Sequence, residues 1–120
     1  MGDKADIIRA LFAAYLAGDR QAVDDWLAAD FRFTSPYDDE IDKATYFDRC
    51  WRGSEWIARH TLERICVDGD TAFVIYQCVA RDGKSFRNTE VVAFAGDRIR
   101  RIDVYFGATY QDGAFVRQQG

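Results

Sequence analysis

The stretch TAFVIYQCVARDGKSFRNTEVVAFA, residues 71–95, decides how this chain folds. Two runs rich in β-branched and aromatic residues, 71–80 and 85–95, flank Asp82-Gly83, and an Asp-Gly step between such runs is a strong hairpin signal. A two-residue turn at Asp82-Gly83 sets Gln77 opposite Asn88 and Ile75 opposite Glu90. One face then carries Phe73, Ile75, Gln77, Asn88, Glu90, Val92 and Phe94. An apolar wall with three central polar groups has the composition of a small-molecule pocket. The other face carries Val74, Tyr76, Cys78, Arg87, Thr89, Val91 and Ala93. It is also rather apolar and needs a cover, most simply a second copy of the chain.

Outward from this hairpin the pattern continues as a meander. Residues 57–67 read as a strand joined to 71–80 by Asp68-Gly69-Asp70, and Gly96-Asp97 joins 85–95 to a strand at 98–106. A two-residue turn at Gly96-Asp97 places Glu90 opposite Asp103, with Cβ atoms about 5 Å apart. Two carboxylates that close repel unless one holds a proton, and such a pair can serve as acid and base. The alternative is a solvated or subunit-facing pair balanced by Arg87, Arg100 or Arg101. A longer turn would shift the register by one residue and separate the two acids.

The first half reads as helical. Asp3 is a candidate N-cap, and Ile7, Ile8, Leu11, Phe12, Tyr15 and Leu16 share one face of a helix that Gly18 can end. Asp19 can cap a second, short helix with Val23, Trp26 and Leu27 inward. Residues 31–35 alternate like a half-buried strand stopped by Pro36, and 36–40 read as an acidic turn. Asp42 can cap a third helix, with Ile41 placed to staple onto Tyr46, carrying Tyr46, Phe47, Cys50 and Trp51 inward; Gly53-Ser54 breaks it. Helices first and antiparallel strands after is an α+β signature.

Composition bounds the rest. With 120 residues and 48% apolar content the chain suits a single domain, 1–120, with a core in 1–106 and a polar tail at 107–120 that adds an edge segment or frays. A net charge of −4 argues against nucleic acid as a partner. The longest uncharged run, 71–80, is too short to cross a membrane as a helix. The N-terminus has no basic segment followed by an apolar run, so a cytoplasmic protein is expected, with no membrane partner. One histidine and three cysteines without a CxxC pair argue against a metal site, and no cofactor is expected. The cysteines read as reduced, mostly buried small hydrophobes, and Cys78 has no identifiable base that would make it a nucleophile. His60 reads as a structural histidine.

Three segments carry a resemblance: LFAAYLAGD at 11–19, WLAADFRFTSP at 26–36 and IRRIDVYFG at 99–107. In order and spacing they resemble the nuclear transport factor 2-like superfamily, the SnoaL-like branch in particular. The resemblance implies a cone-shaped barrel: a curved, mostly antiparallel sheet with about three N-terminal helices enclosing a pocket, its outer face often pairing subunits. It does not fix an activity. The superfamily's ketosteroid isomerases pair a base before a proline with an oxyanion site, for which this chain offers Ser35, Leu11 and Glu90. Its epoxide hydrolases use an Asp-Arg-Asp set, for which it offers Glu90 and Asp103 with Asn88 where the arginine belongs. Its polyketide cyclases pair an acid, matched by Asp103, with a histidine, where Thr89 or Glu90 stands.

Glu90 and Asp103 therefore emerge as candidate catalytic residues. Asn88, Gln77, Ile75, Trp51 and Tyr37, the last in the acidic loop near the expected pocket mouth, emerge as candidate ligand contacts. The expected function is a small-molecule pocket, with proton-transfer chemistry (isomerisation, cyclisation, dehydration or hydrolysis) on a mostly apolar molecule. The alternative is a non-catalytic ligand-binding or dimeric interaction module of the same fold.

Overall fold

The computed structural model describes residues 3–51 and 53–117. Helix α1 (Lys4–Ala17) begins where the Asp3 carboxylate accepts the Asp6 N–H at 2.8 Å. It ends at Gly18, whose φ of +73° is the left-handed conformation glycine adopts without steric cost. Asp19 caps α2 (Arg20–Trp26) in the same way, and Asp42 caps α3 (Lys43–Cys50) through the Thr45 N–H at 2.9 Å. A single turn, α4 (Gly53–Trp56), follows the break after α3.

Seven strands form one sheet: β1 (Leu27–Ser35), β2 (Asp38–Asp42), β3 (Ile57–Asp68), β4 (Thr71–Ala80), β5 (Ser85–Ala95), β6 (Arg98–Gln111) and β7 (Ala114–Val116). The order is β2-β1-β6-β5-β4-β3, with β7 paired to β6. All pairs are antiparallel except β1 with β6, so the sheet is mixed; it curves without closing, and the fold is an α+β cone. The central pair β4–β5 keeps the boundaries expected from sequence. Three boundaries differ. Leu27 opens β1 instead of ending α2. The acidic residues 38–42 form strand β2, leaving Pro36 and Tyr37 as the turn. Residues 107–111 extend β6, and β7 adds the edge segment beyond them.

Both hairpin registers differ by one residue from the two-residue-turn expectation. Gly83 donates its N–H to the Ala80 carbonyl at 3.0 Å, and the Ala80 N–H reaches the Lys84 carbonyl at 2.8 Å. The loop is therefore three residues, Arg81-Asp82-Gly83, with Gly83 left-handed at φ +90°. Val74 faces Glu90 and Tyr76 faces Asn88. At β5–β6 the turn is the expected two residues, with Ala95 opposite Arg98. A bulge then leaves Arg100 unpaired, and Ala93 meets Arg101, Val91 meets Asp103 and Glu90 meets Val104.

The slips exchange faces. Ala72, Val74, Tyr76, Cys78 and Ala80 point inward with Asn88, Val92 and Phe94, all buried. They pack with Ile8, Phe12, Val23, Leu27, Phe31, Phe47, Ile99 and Ile102 in the core between helices and sheet. Phe73, Ile75 and Tyr105 are exposed on the outer face. Among the described residues no helix is long and apolar enough to cross a membrane.

Candidate functional site

The packed core does not fill the cone. An inner chamber of about 210 Å³ lies between α1, the end of α3's aromatic face and the inner surface of β3–β6; its walls include Phe12, Tyr15, Tyr46, His60, Tyr76 and Glu90. A second cavity, of about 470 Å³, continues from it past Phe33, Tyr46 and Tyr76 to Ser35, Tyr37, Asp38 and Arg49 at the turn between β1 and β2. A third, of about 410 Å³, opens between the C-terminal end of β4, β5 and β7. Asn88 and Phe106 line all three.

Glu90 is the chemical centre of the inner chamber. It retains some surface towards the cavity, while its carboxyl lies deep in the fold. Burial pushes its pKa up from the ordinary carboxyl value to about 7, opposed by the hydrogen bond it accepts from Tyr76. That bond is short, 2.5 Å from Tyr76 Oη to Glu90 Oε2. The Asn88 side-chain amide donates to Tyr76 Oη at 3.3 Å, and the Gly107 N–H donates to Asn88 Oδ1 at 3.3 Å. A directed chain of donors thus runs from the β6 backbone to the carboxyl. Among the described residues Glu90 has no ion pair.

His60, on β3, meets Phe12 edge-on at 5.2 Å between ring centroids and Tyr76 at 6.0 Å. Burial lowers its pKa, against a hydrogen bond with the Phe12 backbone that favours the protonated ring. Its Nδ1 is buried and, among the described residues, has no hydrogen-bond partner. The neutral ring therefore keeps an unused acceptor inside the packed wall of the chamber. Tyr15 and Tyr46 complete that wall with hydroxyls pushed well above their usual range by burial. Cys78, also on the wall, has its thiol pushed up to about 12 by burial and by the Glu90 charge, which leaves it unreactive.

At the mouth of the second cavity, Asp38 pairs with Arg49 at 2.8 Å and accepts from Ser35 Oγ at 3.1 Å. The Cys50 thiol sits 3.8 Å from the same carboxylate, which together with burial lifts its pKa to about 12. Arg49 also donates to the Tyr37 carbonyl at 3.4 Å. Among the described residues no cluster of three or more His, Cys, Asp or Glu could hold a metal ion.

Of the residues singled out from sequence, the structure brings Glu90, Asn88 and Tyr37 to these cavities. It does not bring Asp103, Ile75, Gln77 or Trp51. Asp103 lies on the outer face, where the Arg101 guanidinium holds it at 3.1 Å; the β5–β6 bulge puts it opposite Val91 and separates it from Glu90. Ile75 and Gln77 face outward because of the three-residue β4–β5 loop. Trp51 packs against Tyr15 and Phe47, at 5.5 and 5.6 Å between ring centroids, outside the cavity walls. The sequence reading missed Tyr76, placed Asp38 only within the acidic loop near the pocket mouth, and gave His60 only a structural role. A three-residue reading of Arg81-Asp82-Gly83 would have turned Tyr76 inward beside Asn88.

A family model described as a SnoaL-like domain matches residues 8–102. Solved structures similar to the chain include an NTF2-like protein from Burkholderia xenovorans (18% identical, 97% of this chain and 94% of that one covered, TM-score 0.72). Another is a protein from Kribbella flavida (19% identical, 84% of each chain, TM-score 0.75). A third is an NTF2-like protein from Cytophaga hutchinsonii (16% identical, 85% of this chain and 88% of that one, TM-score 0.71). At these identities the likeness speaks to the fold. No curated protein matches the chain.

Proposed function

We propose that the chain, which belongs to the SnoaL-like domain family, binds a small, mostly apolar molecule in its inner chamber and moves a proton to or from it through Glu90. One observation carries this reading: a buried carboxyl with no cation partner among the described residues, held by one tyrosine hydroxyl, on the wall of an aromatic cavity. A carboxyl with a pKa of about 7 is divided between its two protonation states at neutral pH. It can take a proton from one atom and return it to another without a large penalty in either direction. The short Tyr76 bond fixes the carboxyl's orientation and leaves Oε1 for the ligand. The His60 ring, which lines the same chamber, bounds the space that the ligand's apolar body fills. Asp103 takes no part in this reading.

The reaction class that fits is proton abstraction beside a carbonyl, the first step of isomerisation or of aldol-type cyclisation. β-Tetralone is a suitable probe, since its flat two-ring body is apolar and its α-protons exchange with deuterium on enolisation. The protein should accelerate that exchange, with a rate that rises as pH passes through about 7. Glu90→Gln should cost about a hundredfold, and Asp103→Asn should leave the rate within about a factor of two. Unchanged exchange in Glu90→Gln would reject the catalytic role and leave a binding module.

We further propose a homodimer through the outer sheet face. Phe73, Ile75 and Tyr105 are exposed there at 40%, 38% and 62%, apolar side chains that a second copy would remove from water.

A further inference from the structure

The open groove between the C-terminal end of β4, β5 and β7 has a character unlike that of the inner chamber. Its walls are aromatic and apolar, Trp56, Phe86, Phe106 and Val116, while its cations are Lys84 and Arg117. Among the described residues no carboxylate lines it, although acids outnumber basic residues in the chain, 20 to 16. Lys84 Nζ lies 3.6 Å from Asp82 Oδ2, a loose contact to a residue outside the groove. Arg117 has no ion pair among the described residues. Trp56 leaves 60% of its surface exposed, a large aromatic area with nothing covering it.

We propose that this groove binds the anionic end of a planar aromatic or polycyclic molecule, a carboxylate or sulfonate on a flat apolar body, and so selects by charge what enters the inner chamber. The inference rests on the reading of that chamber, which the groove meets at Phe86, Asn88 and Phe106. The flat body stacks on Trp56 and Phe106, and the anion sits between Lys84 and Arg117, where guanidinium and ammonium donors suit carboxylate oxygens. Orientation follows from charge. An anion is repelled by ionised Glu90 and attracted to the two cations, so the charged end stays outside and the neutral end points inward. A volume of about 410 Å³ accommodates a two-ring body with its substituent.

The test compares two isosteric probes, naphthoate and naphthamide, by calorimetry at neutral pH and low salt. Naphthoate should bind about fivefold more tightly, as expected for a carboxylate beside one exposed and one half-buried cation. The preference should shrink as salt is added and vanish in the double variant Lys84→Gln/Arg117→Gln, whose far-ultraviolet circular dichroism should match the parent because neither side chain belongs to the buried core. Equal binding of the two probes, or a preference that survives the double variant, would overturn the proposal. Titrating both probes into Glu90→Gln separates it from the reading of the inner chamber. A naphthoate preference that persists there belongs to the groove, whether or not Glu90 moves protons. One that rises or falls severalfold there puts the anion beside Glu90 and overturns the proposal.

Discussion

Glu90 and Asp103 lie on neighbouring strands one register step apart, yet their settings are opposite. Glu90 points into the cone, with a tyrosine hydroxyl for company and a pKa raised to about 7. Asp103 points out, in an ion pair with Arg101 at 3.1 Å, and Arg101 is also held by Glu40 at 2.7 Å. The same contrast separates Val74 from Ile75 and Cys78 from Cys66. A sheet gives each residue one of two environments, and a single-residue step decides which. The chemistry of a carboxyl in this protein is therefore set by strand register before any neighbouring side chain contributes.

The largest effect that would break the comparison lies at adjacent residues of β4. Val74 is fully buried and Ile75 is 38% exposed. Val74→Asp should cost about 4 kcal/mol or more, since it buries a charge without a partner, and should leave little folded protein by circular dichroism. Ile75→Asp should cost less than about 1 kcal/mol and should shift sedimentation from dimer towards monomer. The reverse order of stabilities would mean that the β4–β5 register is a two-residue turn after all.

The two acids sharpen the contrast at a smaller scale. A carboxyl whose folded pKa stands above its unfolded value costs stability as pH rises between the two, here from about 4.5 to about 7. Glu90→Gln should therefore melt like the parent below pH 4.5 and be more stable above pH 7, by about 3 kcal/mol. Asp103→Asn loses an ion pair that is only partly shielded, so it should be destabilised by about 0.5 kcal/mol at neutral pH. Melting curves of the two variants across pH should thus diverge in sign. The smallest effect concerns the thiols: exposed Cys66 should alkylate first in the native protein, while Cys50 and Cys78, pushed to about 12, stay unmodified by mass spectrometry.

The element order and the helix caps were legible because each has a local cause. Asp3, Asp19 and Asp42 cap as their positions imply, and β4 and β5 occupy the runs that their apolar residues mark. Register was not legible. Asp82-Gly83 marks a turn but does not state its length, which depends on whether Gly83 is the second or third loop residue. The unpaired Arg100 sits among Arg98, Ile99 and Arg101, where no side chain distinguishes the residue that bulges. Strand β2 was hidden because Asp38, Asp39, Glu40 and Asp42 surround a single apolar residue, Ile41. It is held by pairing to β1 and by side-chain bonds such as the Glu40 N–H to Thr34 Oγ1 at 3.1 Å. The candidate site inherits these limits: Glu90 and Asn88 were found, and the identity of their partner on β4 depended on the slip.

The donor chain from Gly107 through Asn88 and Tyr76 to Glu90 makes the two cavities compete for one set of atoms. Each bond in it leans on the next, since a tyrosine whose oxygen accepts from Asn88 is a better donor to the carboxyl. Gly107 cannot retreat to relax the chain, because its α-carbon sits flush against the Arg87 backbone; a methyl group there would lie 2.1 Å from the Arg87 carbonyl oxygen. The adjustable member is the Asn88 side chain, which is common to the outer groove and the inner chamber. A guest in the groove that draws this amide towards itself weakens the Tyr76 bond and tightens the grip of Glu90 on its proton. Occupancy at the entrance would in this way be felt as basicity in the interior.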